Sequence, residues 1–383
     1  MGQRVNKFSK ISFLGAGIWA TALAKVAAEN GSECLLWTLD EVQKNEINNQ
    51  NTNEKFAKNI KLPKNISATT SLVDVLKFSN VIIIAVPTKV IKEVIEKLSE
   101  AIGSMNYKLD KKLTFIIISK GFSPTGTLIS HYIKEVSPKN VTANLVSLVG
   151  PSLAQEVLDE KLTCISAASE SPKLAVMTAN TFTNNKYFHV TVEKDIDACL
   201  MLSALKNIYA IFSGTLWGLN YEYNTNAIFI TFSLNEMKSI LKHFGLMTKL
   251  THGLVGLGDM LVTATNKKSR NFSSGYELGK LNDSTSIHEW ATQNTVEGYT
   301  ACKIIVEKIG KKHLKKFPIL EAIYEVLYNN QNPHEIMHSL FKNPIFLFYN
   351  QKRVKRVINN EKNTNKSNYC WSSRSYWFNK KRC

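Results

Sequence analysis

The run Gly15-Ala16-Gly17-Ile18-Trp19-Ala20 constrains this chain more than any other stretch. It follows the apolar segment Ile11-Ser12-Phe13-Leu14 and opens a helix-like segment from Trp19 to Glu29. Strand, glycine turn and helix in that order build a cradle for a pyrophosphate. Gly15 permits the tight turn, Gly17 lets backbone approach the anion, and small Ala20 lets the helix pack close on the strand. Free N–H groups and the positive end of the helix dipole then face the negative charge. Glycine turns after apolar runs are also common as plain structural turns, so the surrounding pattern has to decide.

That pattern is an alternation. Apolar, β-branched runs at Ile11–Leu14, Cys34–Trp37, Val81–Val86, Leu113–Ile118, Leu145–Val149 and Thr163–Ala167 read as strands. Helical segments such as Trp19–Glu29, Val90–Ala101 and Thr127–Val136 lie between them. Val81–Val86 is apolar throughout, as a parallel strand covered on both faces should be. The alternation predicts an α/β fold with an N-terminal Rossmann-like, doubly wound sheet. Past about Lys194 the segments Ile196–Ser213, Ala227–Phe244, Ser273–Leu281, Glu297–Ile309 and Pro318–Tyr328 read as helices, with Asn220–Asn226 a polar connection and His252–Asn271 a functional loop. The expected division is a dinucleotide-binding domain over 1–194, a mostly helical substrate and catalytic domain over 195–341, and a basic, disordered tail over 342–383.

Net charge is +17, and the 42 residues from Lys342 on carry 11 Lys or Arg against one acid, Glu361. The tail therefore holds +10 of that charge and the rest only +7, a mild excess that suits an anionic ligand. Aromatic residues interspersed in the tail would allow nucleic-acid contact; a solvated extension is the preferred reading. No apolar run approaches the roughly 18–20 residues that span a bilayer. The basic, then apolar, N-terminus imitates a signal peptide but has no clear small-residue cleavage site. Six cysteines without metal spacing, three in apolar segments, read as reduced thiols of a cytoplasmic protein.

The candidate site residues follow the strand ends. Ligands of open α/β sheets bind at the carboxyl ends of the strands. Val86-Pro87-Thr88, Ser119-Lys120-Gly121 and Gly150-Pro151-Ser152-Leu153-Ala154 all fall there. Lys120 can meet a phosphate or a carbonyl. Lys206, with Asn207, is the strong polar pair in a helix that is apolar on nearly every face, so its ammonium is expected to be buried with a lowered pKa. Such a group can protonate the alkoxide formed as a ketone is reduced by hydride. Ser269-Arg270-Asn271 stands out because the first 341 residues hold only two arginines, Arg4 and Arg270. A guanidinium grips phosphate through two parallel hydrogen bonds. Gly256-Leu257-Gly258-Asp259, just upstream, places Asp259 near a substrate hydroxyl or, alternatively, at a helix cap.

Taken together these blocks, with Leu205-Lys206-Asn207 and Val296-Glu297-Gly298-Tyr299, resemble the bacterial-type NAD(P)-dependent glycerol-3-phosphate dehydrogenases over roughly Lys10 to Leu340. The resemblance implies interconversion of dihydroxyacetone phosphate and sn-glycerol 3-phosphate, feeding glycerophospholipid synthesis. It implies Lys206 as proton donor and acceptor, and Lys120, Gly150, Ser152, Asp259, Ser269, Arg270 and Asn271 around the substrate. It places Gly15, Gly17, Ile18, Trp19, Ala20, Lys120, Ala154, Arg270, Thr295 and Glu297 along NAD or NADP. A small phosphorylated substrate, no membrane span, no nucleic acid and a homodimer are the expected partners.

The chain departs from the family pattern in places. Leu200-Met201-Leu202-Ser203 stands where Glu-Leu-Gly-Gly is usual, Asn226 where a basic residue is usual, Phe232-Ser233 in place of Arg-Gly, and Phe272 in place of an arginine. Thr38-Leu39-Asp40 follows the second strand where a basic residue often meets the 2′-phosphate of NADP. Two alternatives are a related two-domain hydroxyacid dehydrogenase, with a carboxylate in place of the phosphate, and a catalytically impaired cofactor-binding paralogue.

Overall fold

The computed structural model describes residues 6–105, 112–137, 141, 143–184, 186–282 and 296–342. Among them, eight strands form one sheet: β1 (Lys10–Leu14), β2 (Glu33–Trp37), β3 (Ile66–Thr69), β4 (Val81–Ile84), β5 (Leu113–Ile117), β6 (Ala143–Val149), β7 (Thr163–Ala168) and β8 (Phe188–Glu193). Their order is β3-β2-β1-β4-β5-β6-β7-β8. The first six run parallel, β6 and β7 pair antiparallel, and β7 and β8 are parallel again. The helices between the strands are α1 (Ile18–Glu29), α2 (Glu41–Gln50), α3 (Leu72–Phe78), α4 (Ile91–Ser104), α5 (Ile129–Val136), α6 (Ala154–Leu158) and α7 (Pro172–Phe182).

Six of the eight strands coincide with the apolar runs read from the sequence. The other two, β3 and β8, are the edges of the sheet. An edge strand is covered incompletely and so needs no continuous apolar run. β8 shows this directly, with Phe188 buried and Thr191 and Val192 exposed. The central strands β4 and β5 are buried at every position.

The second half is helical: α8 (Ile196–Gly218), α9 (Tyr223–His243), α10 (Asp259–Ala264), α11 (Arg270–Leu281), α12 (Glu297–Ile309), α13 (Lys311–Leu314), α14 (Pro318–Tyr328) and α15 (Pro333–Lys342). The segment expected as a loop, His252–Asn271, is instead largely helical. A π turn over Leu254–Gly258 runs directly into α10. Its glycines serve close packing, since a Cβ on Gly258 would lie 3.2 Å from Pro151 Cγ. The polar stretch expected as a connection is also partly helical, because α9 already begins at Tyr223.

α8 is the core of this half. Among the described residues it alone is long and apolar enough to cross a membrane, and 94% of that stretch is buried inside the protein. α11 lies against it at backbone contact. A Cβ on Gly275 would fall inside the van der Waals radius of the Ile211 carbonyl oxygen, and one on Gly214 inside that of Phe272. Glycine on both helices is what permits this approach. A buried carboxylate adds a further tie: Glu236 on α9 accepts from Tyr209 Oη of α8 at 2.9 Å and from Ile319 and Leu320 N–H of α14 at 2.9 and 2.7 Å.

Candidate active site

The strand order brings the carboxyl ends of β1, β4, β5 and β6 to one rim. Gly15 leaves β1 with φ +123°, and a Cβ there would lie 3.0 Å from the Ala85 carbonyl oxygen beyond β4. Any other residue is therefore excluded by both strain and contact. Gly17 is the N-cap of α1 and offers no side-chain cap. A Cβ on Gly17 would meet nothing within 4 Å, so the turn faces open space. The first-turn N–H groups of a helix lack internal acceptors, and here no side chain among the described residues caps them. Ala20 is buried under this turn, while Ile18 is exposed and Trp19 half-buried at its rim.

The back of the turn is fastened by side chains that the sequence did not single out. Gln43 Nε2 and Asn53 Nδ2 both donate to the Ala16 carbonyl, at 2.9 and 3.1 Å. Asn53 Nδ2 also donates to Thr21 Oγ1, and Thr38 Oγ1 donates to Gln43 Oε1. Both amides are buried. With the carbonyl side occupied, the N–H side is left for an anion. These residues gave no signal in sequence because isolated Asn and Gln are common on surfaces.

Lys206 is 2% exposed and Asp259 fully buried. Lys206 Nζ donates to Asp259 Oδ1 at 2.5 Å and to Thr263 Oγ1 at 2.8 Å. Lys120 Nζ, at the end of β5, lies 4.0 Å from the same Oδ1. Burial pulls the Lys206 ammonium down to about 8; Asp259 opposes the shift and Lys120 adds to it. For Lys120 burial acts in the same sense, but the charges of Asp259 and Glu297 outweigh it and hold the ammonium above its ordinary value. Two lysines at one carboxylate thus take different protonation tendencies. Asp259 Oδ2 is buried with no hydrogen-bond partner among the described residues, which leaves one buried acceptor unsatisfied. Thr263 was missed; its position one helical turn after Asp259 was the available signal.

A second chain of contacts extends from Asn207. Its Nδ2 donates to Glu297 Oε2 at 3.1 Å, its Oδ1 accepts from Asn271 Nδ2 at 3.0 Å, and Asn271 Oδ1 accepts from Gly298 N at 3.0 Å. This ties α8, α11 and α12 together beside Lys206. Arg270 is exposed at the start of α11 and has no hydrogen-bond or ion-pair partner among the described residues. The Ser269 hydroxyl caps α11 by accepting from Phe272 N. Gly150, with φ +149°, turns the chain after β6, and a Cβ there would lie 2.9 Å from Ile165 Cα. Ser152 Oγ donates to the Gly150 carbonyl at 3.2 Å, and Ala154 opens α6. Thr295 and the tail from residue 343 lie outside the described residues.

Comparison with known proteins places this arrangement in a lineage. The N-terminal model of NAD-dependent glycerol-3-phosphate dehydrogenase matches residues 10–175, and the C-terminal model matches 195–338. The chain belongs to the NAD-dependent glycerol-3-phosphate dehydrogenase family. The glycerol-3-phosphate dehydrogenase (NAD(P)+) of Mesoplasma florum is 36% identical over 334 residues, covering 87% of this chain and 97% of that protein. Its namesake in Leuconostoc mesenteroides is 33% identical over 338 residues, 88% and 98% respectively. The solved structure of glycerol-3-phosphate dehydrogenase from Coxiella burnetii is 27% identical and superposes with a TM-score of 0.74, covering 88% of this chain and 99% of its own.

Within this dehydrogenase family pattern, the departing positions are mostly packed. Leu200, Met201, Leu202 and Phe272 are buried, and Asn226 Oδ1 accepts from Ser213 Oγ at 2.9 Å. They fill the interior around α8 and leave the Lys206–Asp259–Thr263 contacts in place.

Proposed function

We propose that this chain reduces dihydroxyacetone phosphate to sn-glycerol 3-phosphate with NADH or NADPH, and runs the reverse reaction, through the cluster centred on Lys206. The observation that carries the reading is a buried ammonium on α8, held by Asp259 and Thr263, with Lys120 from the end of β5 4.0 Å from the same carboxylate. When bound, the nicotinamide supplies or accepts the hydride at the substrate's central carbon.

The protein does the rest. The uncapped start of α1 receives the pyrophosphate, with Gly17 leaving room for it. Lys206 Nζ gives its proton to the substrate oxygen as that oxygen gains negative charge, and takes it back in the oxidative direction. A pKa near 8 suits transfer both ways close to neutrality. Asp259 holds Lys206 by Oδ1 and offers Oδ2 to a substrate hydroxyl. Arg270, without a hydrogen-bond or ion-pair partner among the described residues, grips the phosphate as a fork, with Lys120 adding positive charge. Asn207, Asn271 and Glu297 fix the relative positions of the three helices. In this reading residues up to 194 form the dinucleotide-binding domain and 195–341 the substrate and catalytic domain, with Lys120 reaching the substrate from the first. A reducing, cytosolic setting accords with the free thiols of Cys34, Cys164, Cys199 and Cys302.

The test is direct. Purified protein is mixed with dihydroxyacetone phosphate or with a panel of keto acids, and loss of reduced-cofactor absorbance is followed. Turnover restricted to the phosphorylated ketone is expected. Faster turnover of a keto acid would replace the reading with a hydroxyacid dehydrogenase.

A further inference from the structure

The rim of the dinucleotide site carries a charge pattern that bears on which cofactor is used. Dinucleotide-binding folds place an acidic residue about 20 positions after the glycine turn, where it meets the adenosine ribose; a cation there instead accommodates a 2′-phosphate. Asp40 falls 23 residues after Gly17, just beyond the end of β2. Its Oδ1 accepts from Val42 N at 3.0 Å and Gln43 N at 3.2 Å, capping α2. The Gln43 N–H, then Val42 and Lys55, hold its carboxyl below the ordinary carboxylate range, so it is charged near neutrality.

The nearby cations are already engaged. Lys55 Nζ lies 3.5 Å from Asp40 Oδ2, and Lys44 Nζ lies 2.5 Å from Glu41 Oε2. Leu39, 77% exposed, occupies the position between strand and cap. No arginine lies in the sequence between Arg4 and Arg270. The start of α2, itself a natural anion site, is used up by a fixed carboxylate.

We propose that Asp40 and Leu39 make this enzyme select NADH over NADPH. The 2′-phosphate would meet a held negative charge and an apolar side chain, with Lys55 already paired to Asp40 itself and Lys44 to Glu41, whereas the 2′-hydroxyl of NADH can donate to Asp40 Oδ2. The inference rests on the dinucleotide reading of the glycine turn.

The experiment is equilibrium titration of the full chain with NADH and with NADPH, read by quenching of intrinsic tryptophan fluorescence and by calorimetry. NADH is expected to bind about tenfold tighter or more, the scale of one close, partly screened like-charge contact. Asp40→Asn keeps a capping oxygen and should raise NADPH affinity several-fold. Leu39→Arg, which leaves the cap untouched, should raise it independently. Equal or tighter NADPH binding by the unaltered chain would overturn the proposal, as would an unchanged affinity ratio in both variants. Binding of neither nucleotide would overturn the dinucleotide reading itself, which separates the two failures.

Discussion

Asp259→Asn probes the proton-transfer cluster most sharply, because it removes one charge and almost no volume. In the native protein three influences set the Lys206 ammonium near 8: burial lowers it, Asp259 raises it, and Lys120 lowers it. With Asp259 neutral, the two lowering influences remain and the opposing one is gone. An opposite charge within hydrogen-bond reach typically shifts a pKa by about 1–3 units, or roughly 1.4–4 kcal/mol. The expected midpoint in the variant is therefore about 5–7. Ketone reduction needs Lys206 protonated, so turnover of the native enzyme should fall as pH rises through about 8. The variant should show the same fall displaced downward, and near pH 7.5 should retain only about a third of native turnover or less. The oxidative direction should respond with opposite sign, since it needs the neutral amine. The assay is turnover at saturating dihydroxyacetone phosphate from pH 5 to 10, with nucleotide affinity measured in parallel to show that the cofactor site is intact. A variant profile that superimposes on the native one, or moves upward, would refute the assigned roles of Lys206 and Asp259.

Other perturbations read separate parts of the structure. Lys206→Ala should reduce turnover by about 10²–10⁴-fold with NADH affinity nearly unchanged, checked by single-turnover kinetics and fluorescence titration. Arg270→Lys keeps the charge but loses the fork; at about 1.5–3 kcal/mol per hydrogen bond to a charged group, KM for the phosphorylated ketone should rise roughly tenfold or more, read from initial-rate kinetics. Gly275→Ala should destabilise the fold by about 1–3 kcal/mol, because its methyl group would collide with the Ile211 carbonyl of α8; thermal unfolding followed by circular dichroism should show a Tm lower by several degrees.

How legible this protein was can be judged residue by residue. The strands that form the middle of the sheet announced themselves, because burial on both faces demands an unbroken apolar run. β3 and β8 did not, because edges carry no such demand. The stretch from His252 to Asn271 looked like a loop for its glycines and polar residues. Those glycines instead admit close packing of a π turn against Thr251 and Pro151, and three of the polar residues, Asp259, Thr263 and Asn271, join the contacts around Lys206 and Asn207.

What sequence alone determined was the kind of chemistry. A glycine turn after a strand, one lysine inside an apolar helix and one arginine in a lysine-rich body are each local facts, set by which residue types those environments tolerate. What only tertiary structure decided was the company these residues keep. Lys206 and Asp259 are 53 positions apart, and Asn207 and Glu297 are 90 apart. Neither spacing follows from periodicity; the first exists because the π turn leads straight into the helix that carries Asp259, the second because Gly298 lets the start of α12 come against the Asn207 backbone of α8. The same holds at the nucleotide turn, where Gln43 and Asn53 acquire a role only once folding brings the Ala16 carbonyl to them. Local propensity is written along the chain, whereas the field at a buried ammonium is a sum over neighbours that only the folded arrangement supplies.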